Sequence, residues 1–287
     1  MTCSIPHATF TRLVDLYYYI LGLPSLIPSP SVNQAFSELV SLCLQIRIPS
    51  KHILEHMQEL STSADDNRSA FNVRALIARA MEAEGCMERY WAKILAADAD
   101  VDATMRTFWY WDNYATLTKY ELDSLTAAGC QSMDRVAFIG SGPLPLTSVL
   151  VGQKTRGEVV LYDRDVEANM LAAAWVKKLS AIGSEGPPAS YSFRDIDVWA
   201  EDCTAFSRYD VVWVAAAVGS DGAEKRAIID HLRRGMRKGA FLAVRSVEMG
   251  CSLLYPEIKH SEFANLDIVR HDVPPQGVVN SVIVLRV

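Results

Sequence analysis

The amino-acid sequence predicts an α/β protein in which an N-terminal helical domain is followed by a parallel β-sheet that helices cover on both faces. Before residue 130 the apolar residues recur mostly at helical spacing, whereas after it short apolar runs alternate with helical segments. Between the two parts, residues 135–148 read as a strand, a glycine turn and the start of a helix. We therefore expect a helical domain over residues 1–130, contributing part of an active site, and a sheet domain over residues 131–287.

The composition excludes several classes of function. The chain has 287 residues, half of them hydrophobic, and a formal net charge of −6 without a basic run, so neither disorder nor nucleic-acid binding is expected. Its six cysteines are scattered without a C-x-x-C pair, which predicts reduced thiols and no metal site. The apolar run over residues 16–23 is far shorter than the ~20 residues that a membrane span needs, and no signal peptide is indicated. We expect a cytoplasmic protein with no membrane partner.

The N-terminal part begins with three predicted helices, over residues 8–23, 32–45 and 50–60. Gly22 and Pro24 end the first of them, because neither residue favours continuation of a helix. Ser31 is a candidate cap for the second, since its hydroxyl can accept a hydrogen bond from an N–H group of the first turn.

The fourth predicted helix, over residues 73–97, carries a glutamate within an apolar stripe. The stripe recurs at spacings of three and four and consists of Ile77, Ala80, Glu84, Met87, Trp91 and Ile94. Burial makes a carboxylate a better proton acceptor, so Glu84 is a candidate for holding an ammonium group and taking its proton. A buried ion pair with Arg74 or Arg79 explains the position equally well. Glu82 and Glu88 lie off the stripe, where we expect solvated charges.

Residues 107–114 concentrate aromatic side chains just before a helix predicted over residues 117–128. Such clusters are more often core than site, because rings fill volume efficiently. Tyr110, Asn113 and Tyr114 nevertheless add hydrogen-bonding groups that a plain core does not need. The segment is therefore also a candidate binding site.

The glycine turn after the first strand indicates a ligand site. Gly140 and Gly142 allow a sharp turn and close approach of the backbone, and the following helix would aim N–H groups at an anion. A dinucleotide site is not indicated, because Pro143 and Pro145 follow where a third glycine is wanted, and no Walker Gly-Lys-Ser/Thr is present. The S-adenosylmethionine fold uses this arrangement, with the turn beside the methionine carboxylate and amine. A purely structural turn is the alternative.

After the turn, strands and helices alternate, which predicts a parallel sheet with helices on both faces. Besides the strand that begins at Arg135, strands are predicted over residues 158–162, 190–193, 210–215 and 240–245, with two more in the tail over 266–271 and 280–287. The intervening helices are predicted over residues 146–151, 166–181 and 223–237.

Ligands of such sheets bind beyond the carboxyl ends of the strands, which selects particular residues. Asp163 follows the second strand, 21 residues after Gly142, and is placed to accept both ribose hydroxyls of a nucleoside. Asp195 and Ile196 follow the third strand and would meet the adenine. Residues 216–219 follow the fourth and are small enough for the ligand to lie against the backbone. Each aspartate alone could be a loop cap, but together they indicate an adenosyl ligand.

Five motifs match a known pattern. They are Phe138-Ile-Gly-Ser-Gly-Pro-Leu-Pro-Leu-Thr-Ser148, Tyr162-Asp-Arg-Asp165 with Ala168-Asn169, Ala215-Ala-Ala-Val-Gly219 with Glu224-Lys225, Arg245-Ser246 and Leu254-Tyr-Pro256. These motifs closely resemble those of the nicotianamine synthase family, and the first is far more specific than a Gly-x-Gly turn. With weaker similarity around Glu84 and Tyr110, the resemblance covers roughly residues 74–256. It implies a class I S-adenosylmethionine-dependent, Rossmann-like sheet behind the helical domain.

The resemblance also implies a reaction and its residues. The family transfers the 3-amino-3-carboxypropyl (aminobutanoyl) group of S-adenosylmethionine, its co-substrate, to an amine and releases methylthioadenosine. Glu84 resembles the family's catalytic glutamate, and Tyr110 resembles its tyrosine that orients the acceptor. The further acceptor-binding residues so implied are Glu82, Asn113, Tyr114, Arg245 and Tyr255. The residues implied for binding S-adenosylmethionine are Gly140, Ser141, Gly142, Pro143, Leu144, Thr147, Asp163, Asp165, Asn169, Asp195, Ile196, Ala216, Val218 and Gly219.

The sequence departs from the plant members of the family. The chain is short, Trp109 and Trp111 stand where the plant enzymes have Pro and Tyr, and Val247-Glu248-Met249 differ after Arg245-Ser246. In these respects it is more similar to bacterial nicotianamine synthase-like histidine 2-aminobutanoyltransferases of opine-type metallophore biosynthesis. Those enzymes make one transfer to histidine and pass the product to an opine dehydrogenase. The resemblance therefore implies histidine as acceptor and a downstream opine dehydrogenase. A homodimer is expected separately from the resemblance.

Three other functions stay open at this point. A true nicotianamine synthase would join three aminobutanoyl units. A small-molecule methyltransferase would bind the same co-substrate and release S-adenosylhomocysteine, although the Pro-Leu-Pro turn and the helical domain count against it. A non-enzymatic binding protein would not need Glu84 on an apolar stripe.

Overall fold

The computed structural model describes residues 7–63, 69–179 and 189–287, and the chain divides into two compact units. The helical unit comprises the chain up to Met87 together with Val247–Glu257, and the sheet unit comprises Glu88–Ser246 with Ile258–Val287. The domain boundary near residue 130 stays a prediction.

Four helices form most of the helical unit, and all four were predicted. They are α1 (His7–Leu21), α2 (Pro30–Gln45), α3 (Ser50–Ser63) and the first part of α4 (Val73–Ala97). The prediction that Ser31 caps α2 is wrong: Ser29 accepts the hydrogen bond, from the Val32 N–H at 3.3 Å. Pro30 then occupies the first helical position, where a missing N–H is harmless.

The core of the helical unit is built from one face of each of its first three helices. Its fully buried side chains include Leu13, Tyr17, Ile20, Leu39, Cys43, Ile53 and Met57. A short 3-10 turn from far along the chain, Met249–Leu253, completes the unit. There the Gly250 N–H donates to the Ile46 carbonyl at 3.3 Å, and a Cβ at position 250 would collide with the carbonyl of Cys43.

Two further helices, α5 (Val101–Arg106) and α6 (Trp111–Ala127), precede the sheet. Helix α5 was not predicted; Asp100 begins it by accepting a hydrogen bond from the Ala103 N–H at 3.1 Å. Helix α6 begins at Trp111, six residues before the predicted start at residue 117. The prediction missed this first part because the dense aromatic residues obscured the helical spacing. As a result Asn113 and Tyr114 lie on a helix.

Within the described residues the sheet has seven strands, in the order β3-β2-β1-β4-β5-β7-β6. The strands are β1 (Arg135–Ile139), β2 (Glu158–Asp163), β3 (Ser190–Asp195), β4 (Val211–Val214), β5 (Phe241–Ser246), β6 (Ile268–Asp272) and β7 (Ser281–Arg286). The first five in this order are parallel, whereas β7 pairs antiparallel with β5 and β6 antiparallel with β7. The short connection over residues 273–280 explains why β6 and β7 are antiparallel, because a parallel pair needs a crossover of a dozen or more residues.

Helices cover both faces of the sheet, as predicted. The connecting helices are α7 (Leu146–Thr155), α8 (Val166–Leu179) and α9 (Gly222–Gly235). On one face Ile229 of α9 packs with Val212 and Val214, and on the other Val151 of α7 packs with Phe138, whose ring stacks on Trp213 at 4.8 Å. Strands β1, β4 and β5 are buried on both sides, which their nearly continuous apolar runs indicate.

The predicted Rossmann-like α/β class is thus confirmed, with the sheet mixed instead of wholly parallel. Helix α8 was expected to reach residue 181, and residues 180–188 lie outside the described ranges. Within those ranges, no helix is long and apolar enough to cross a membrane.

Candidate active site

The carboxyl ends of the parallel strands lie along one edge of the sheet. Ile139, the last residue of β1, is paired with Tyr162 of β2 and with Val214 of β4. Asp163 of β2 is paired with Asp195 of β3. The segments that follow these strands contain most of the residues that the resemblance assigns to S-adenosylmethionine.

The glycine turn after β1 has the conformation that only glycine adopts readily. Gly140 and Gly142 have φ angles of +75° and +67°, and a Cβ at position 140 would collide with the side chain of Val218. The N–H groups of Gly140 and Ser141 both donate to the Tyr162 carbonyl, at 2.8 and 3.2 Å. The Gly142 N–H donates to the Asp163 carboxylate at 2.8 Å. These three N–H groups therefore bond within the protein, and the expectation that the helix after the turn aims its N–H groups at an anion stays a prediction.

The two aspartates after β2 hold the local backbone. One Asp163 oxygen accepts from Gly142, and the other accepts from the Asp165 N–H at 2.9 Å, which leaves lone pairs on both for hydroxyl donors. Asp165 accepts from the Ala168 N–H at 3.2 Å at the start of α8 and pairs with Arg89. Burial raises the pKa of Asp165, but the hydrogen bonds from Ala168 and Arg89 outweigh it and the net pKa is lowered.

Asn169 of α8 joins the ends of β2 and β3. It is 2% exposed, and its amide nitrogen donates to the carbonyls of Asp163 and Arg194 and to the Asp195 carboxylate, at 3.3, 3.1 and 2.7 Å. Asp195 is exposed and Ile196 is half-buried. A buried amide that bonds two strand ends at once indicates that Asn169 positions Asp195.

A buried lysine holds the loop after β4. Lys225 of α9 is 1% exposed, and its ammonium donates to the carbonyls of Ala215, Ala216 and Arg245 at 3.0, 2.6 and 3.3 Å. Burial, and to a lesser extent the Arg245 guanidinium, lowers the pKa of Lys225 to about 7. Gly219, with φ +82°, is needed because a Cβ there would lie 2.9 Å from the Lys225 backbone nitrogen.

Arg245, expected at the acceptor, takes part in a buried ion pair. Its Nε and Nη2 donate to the two carboxylate oxygens of Glu121 at 2.7 and 3.0 Å, and Nη2 also donates to the Thr147 hydroxyl at 2.6 Å. Glu121 is fully buried, and sequence reasoning missed it. The signal was available, since Glu121 lies four residues from Leu117 and from Leu125 on the apolar face of α6.

The aromatic segment is partly core and partly polar site. Phe108 is 3% exposed, and its ring centroid lies 5.1 Å from that of Trp91, 5.8 Å from that of Tyr110 and 6.1 Å from that of Tyr114. Tyr110 and Tyr114 are half-buried. Asn113 donates to the Gly277 carbonyl at 2.6 Å.

Glu88 is not the solvated charge that the sequence predicts. It is half-buried and accepts a hydrogen bond from the Tyr114 hydroxyl at 3.3 Å. A Cβ on Gly142 would lie only 2.8 Å from its other oxygen, Oε2. The helical wheel missed Glu88 because the surroundings that receive it come from a different part of the chain.

Glu84 belongs to the helical unit and makes a short hydrogen bond there. It is half-buried and accepts from the Tyr255 hydroxyl at 2.6 Å. The predicted stripe is displaced, since the most buried residues of α4 are Leu76, Ala83, Trp91, Ala92 and Leu95. Arg79 pairs with Glu82 at 3.1 Å and donates to the Leu23 carbonyl at 2.6 Å. Glu82 itself is largely exposed.

A metal centre is not indicated. Among residues 7–63, 69–179 and 189–287, no three His, Cys, Asp or Glu side chains converge on a position that could hold a metal ion. The donor set of the sheet edge, aspartates and backbone groups, is suited to hydroxyl and amine ligands.

Comparison with known proteins identifies the family. The sequence profile described as "Nicotianamine synthase protein" matches residues 5–287. The nicotianamine synthase of Solanum lycopersicum is 32% identical over 289 residues, covering 100% of this chain and 86% of the relative. Nicotianamine synthase 9 of Hordeum vulgare is 35% identical over 284 residues, covering 97% of this chain and 78% of the relative.

Solved structures agree on the fold. The crystal structure of MtNAS in complex with MTA and tNA has a TM-score of 0.73 at 18% identity. A variant of MtNAS in complex with S-adenosylmethionine has a TM-score of 0.72 at 17% identity. Each comparison covers 99% of both chains, so the same fold extends over the whole length.

Proposed function

The chain belongs to the nicotianamine synthase family, and from that premise we propose that it transfers one aminobutanoyl group from S-adenosylmethionine to the amine of histidine. Members of the family are S-adenosylmethionine-dependent aminobutanoyl transferases, and S-adenosylmethionine is the co-substrate. The observation that carries the proposal is a positioned carboxylate: half-buried Glu84 accepts a 2.6 Å hydrogen bond from Tyr255. A carboxylate held in this way suits a general base for an amine.

The proposed reaction is a displacement at carbon. The acceptor amine gives a proton to Glu84, and its nitrogen then forms a bond to Cγ of the methionine moiety. The Cγ–S bond breaks at the same time, and its electron pair returns to the sulfonium, so that neutral methylthioadenosine leaves. Because the methyl group is equally attached to sulfur, the choice of carbon is a question of which bond is held in line with the amine.

The sheet edge is proposed to hold the adenosyl part of the donor. Asp163 keeps lone pairs for the ribose hydroxyls beside the bonds that it accepts from Gly142 and Asp165. Asp195 and Ile196 would meet the adenine amino group and ring. The loop after β4, held by its buried lysine, would lie against the sugar and base.

The choice of histidine rests on the aromatic segment. Trp109 and Trp111 give this segment two indole rings. The Trp109 side chain remains 46% exposed while its ring packs edge-on against Trp91 at 5.4 Å. An exposed indole offers a face on which an imidazole or imidazolium stacks. The aminobutanoyl-histidine product would then pass to an opine dehydrogenase in an opine-type metallophore pathway.

A second function, nicotianamine synthesis from three S-adenosylmethionine molecules, is favoured by a different observation. The relatives that cover nearly all of this chain at 32% and 35% identity are nicotianamine synthases. In that case the acceptor would be a further donor molecule or its aminobutanoyl product, and Glu84 would act in each round.

The deciding experiment is mass spectrometry of reactions that contain S-adenosylmethionine with no acceptor, with L-histidine or with D-histidine. We expect methylthioadenosine and a histidine product that has gained one aminobutanoyl unit. Nicotianamine formed without an added acceptor would favour the second function. S-adenosylhomocysteine with a methylated acceptor would refute both.

The base is tested by Glu84→Gln. We expect this variant to bind S-adenosylmethionine normally and to lose about 10²- to 10⁴-fold in turnover, the usual contribution of a general base. Glu55→Gln, on the exposed side of α3, is the matched control and should behave as wild type. Normal turnover in Glu84→Gln would eliminate the base assignment.

The acceptor role is tested by Tyr110→Phe. Its ring lies at the edge of the Phe108 cluster, so removing the hydroxyl preserves packing. We expect the acceptor KM to rise or kcat to fall while the affinity for S-adenosylmethionine stays the same. If neither parameter changes, Tyr110 does not orient the acceptor.

A further inference from the structure

A carboxylate lies directly against the glycine turn. Glu88 extends from α4 so that its Oε2 occupies the space where a side chain on Gly142 would begin, 2.8 Å from that position. Tyr114 of α6 donates to its other oxygen at 3.3 Å. The carboxylate is therefore held from a second helix. The φ of +67° at position 142 favours glycine, and a Cβ there would also displace the Glu88 carboxylate.

The turn beside Glu88 is ill suited to an anion. The N–H groups of Gly140, Ser141 and Gly142 already donate to Tyr162 and Asp163. The next residue, Pro143, has no N–H at all. A ligand carboxylate placed here would meet the negative charge of Glu88 without gaining hydrogen bonds from these groups. The same environment favours a cation, because a carboxylate pairs most strongly with a charged N–H donor.

We propose that Glu88 binds the α-ammonium group of S-adenosylmethionine beside Gly142 and is oriented for this task by Tyr114. The inference rests on the proposed function only in taking S-adenosylmethionine as donor, and it assigns a residue that the family motifs did not mark.

The donor ammonium suits the Glu88 carboxylate better than the acceptor amine does, for two reasons. The acceptor must be neutral to attack carbon, whereas the donor ammonium keeps its charge throughout the reaction. In addition, the turn follows β1, the strand whose end receives the methionine moiety in S-adenosylmethionine folds. Glu88 would thus fix the aminobutanoyl chain that is transferred, and so help to decide which bond to sulfur is broken.

Three ligands distinguish a contact with the ammonium from a contact with the sulfonium. S-adenosylmethionine carries both the ammonium and the sulfonium, S-adenosylhomocysteine keeps the ammonium without the sulfonium, and methylthioadenosine lacks both. We would measure the Kd of each by isothermal titration calorimetry for wild type, Glu88→Gln and Tyr114→Phe. The experiment needs no acceptor, so its result does not depend on histidine.

We expect Glu88→Gln to weaken S-adenosylmethionine and S-adenosylhomocysteine by about 10- to 100-fold, the usual effect of losing a charged hydrogen-bond partner. Methylthioadenosine should bind within about twofold of wild type, and that binding also shows that the variant is folded. Tyr114→Phe leaves the charge of Glu88 in place. We therefore expect it to weaken the binding of S-adenosylmethionine and S-adenosylhomocysteine only a few-fold, with methylthioadenosine unchanged. Glu167→Gln, an exposed glutamate on α8, is the matched control and should change none of the three.

Several results would overturn the proposal. An equal loss for all three ligands would make Glu88 a structural residue. A loss for S-adenosylmethionine alone would assign Glu88 to the sulfonium, and unchanged Kd values for all three ligands would show that Glu88 does not bind the donor. Failure of the proposed function looks different: wild type would then bind the donor and release S-adenosylhomocysteine, whatever Glu88→Gln does to affinity.

Discussion

Replacing Lys225 with methionine should change how the stability of the protein depends on pH. Lys225 is 1% exposed, and its ammonium donates to three carbonyl oxygens at the ends of β4 and β5. Burial and the nearby Arg245 lower its pKa from 10.5 to about 7. Methionine has a similar length and no charge, so it fills the same space and cannot bind a proton.

The expected magnitude follows from linkage between protonation and folding. In the folded state Lys225 loses its proton near pH 7, whereas in the unfolded chain it keeps the proton up to pH 10.5. Between these values the unfolded state binds more protons, so the free energy of unfolding rises with pH. Each pKa unit is worth about 1.4 kcal/mol, which gives an order-of-magnitude limit of about 5 kcal/mol for the whole window. Between pH 6 and pH 9 the rise should be about 2.5 kcal/mol.

The assay is urea unfolding followed by tryptophan fluorescence at pH 6, 7, 8 and 9. The quantity of interest is the free energy of unfolding of wild type minus that of Lys225→Met, because groups common to both proteins cancel. That difference should grow in favour of wild type by about 2.5 kcal/mol from pH 6 to pH 9. Lys238→Met, at an exposed position, should give a difference that does not change with pH.

A constant difference for Lys225→Met would refute the reasoning. It would mean that the three carbonyl oxygens stabilise the ammonium as much as burial and Arg245 destabilise it. The pKa of Lys225 in the folded protein would then be close to its value in the unfolded chain, because its three hydrogen bonds would offset the effect of burial.

Three further substitutions test separate features. Glu121→Gln leaves the guanidinium of Arg245 buried without its carboxylate and should lower the free energy of unfolding by about 3–5 kcal/mol, measured by urea denaturation; a loss below about 1 kcal/mol would show that the pair is dispensable. Tyr255→Phe removes the 2.6 Å hydrogen bond to Glu84 and should reduce kcat about 10-fold at unchanged affinity for S-adenosylmethionine, whereas an unchanged kcat would detach Tyr255 from the base. Asp221→Ala removes the cap of α9 and should lower the free energy of unfolding by about 0.5–2 kcal/mol, and Asp221→Asn should restore most of it.

The sheet was predictable because its central strands are buried on both sides. Runs such as Val159–Leu161 and Val211–Val214 are apolar without alternation, and turn residues separate them from helical segments. The direction of β7 was not predicted, since a buried strand has the same pattern whether its neighbour is parallel or antiparallel. The length of the connection between β6 and β7 was the available signal, because residues 273–280 are too few for a crossover helix.

The sequence predicts which residues lie at the strand ends of the candidate site. It predicts much less well which groups those residues contact. Asp163 and Asp195 follow strands that the pattern identifies, so their place at the sheet edge follows from topology. Which N–H groups remain available at the glycine turn depends on pairing between β1 and β2, which is not local in sequence. The hydrogen bond from the Gly142 N–H to Asp163 is a contact of this kind, and the sequence pattern does not predict it.

Helical periodicity misassigned two of the three glutamates of α4, Glu84 and Glu88, for a common reason. Helical periodicity divides a helix into a core side and a solvent side, but the surroundings of α4 change along its length. Glu84 was placed in a core stripe and is half-buried with a partner, Tyr255, from far along the chain. Glu88 was placed in solvent and instead contacts Tyr114 and approaches Gly142. Contacts of this kind depend on tertiary structure, which periodicity does not encode.

The position of β7 in the sheet has a consequence for how the protein is synthesised. Although it is the last strand along the chain, β7 lies between β5 and β6, so the hydrophobic edge of β5 stays unpaired until residues 281–286 have left the ribosome. At ~5–20 residues per second, translation of residues 247–280 takes a few seconds. During that interval the nascent chain exposes an apolar strand edge, the feature that recruits chaperones or invites pairing with a neighbouring polypeptide on the same messenger RNA. Slow codons placed within this segment would lengthen the exposure and lower the yield of folded protein.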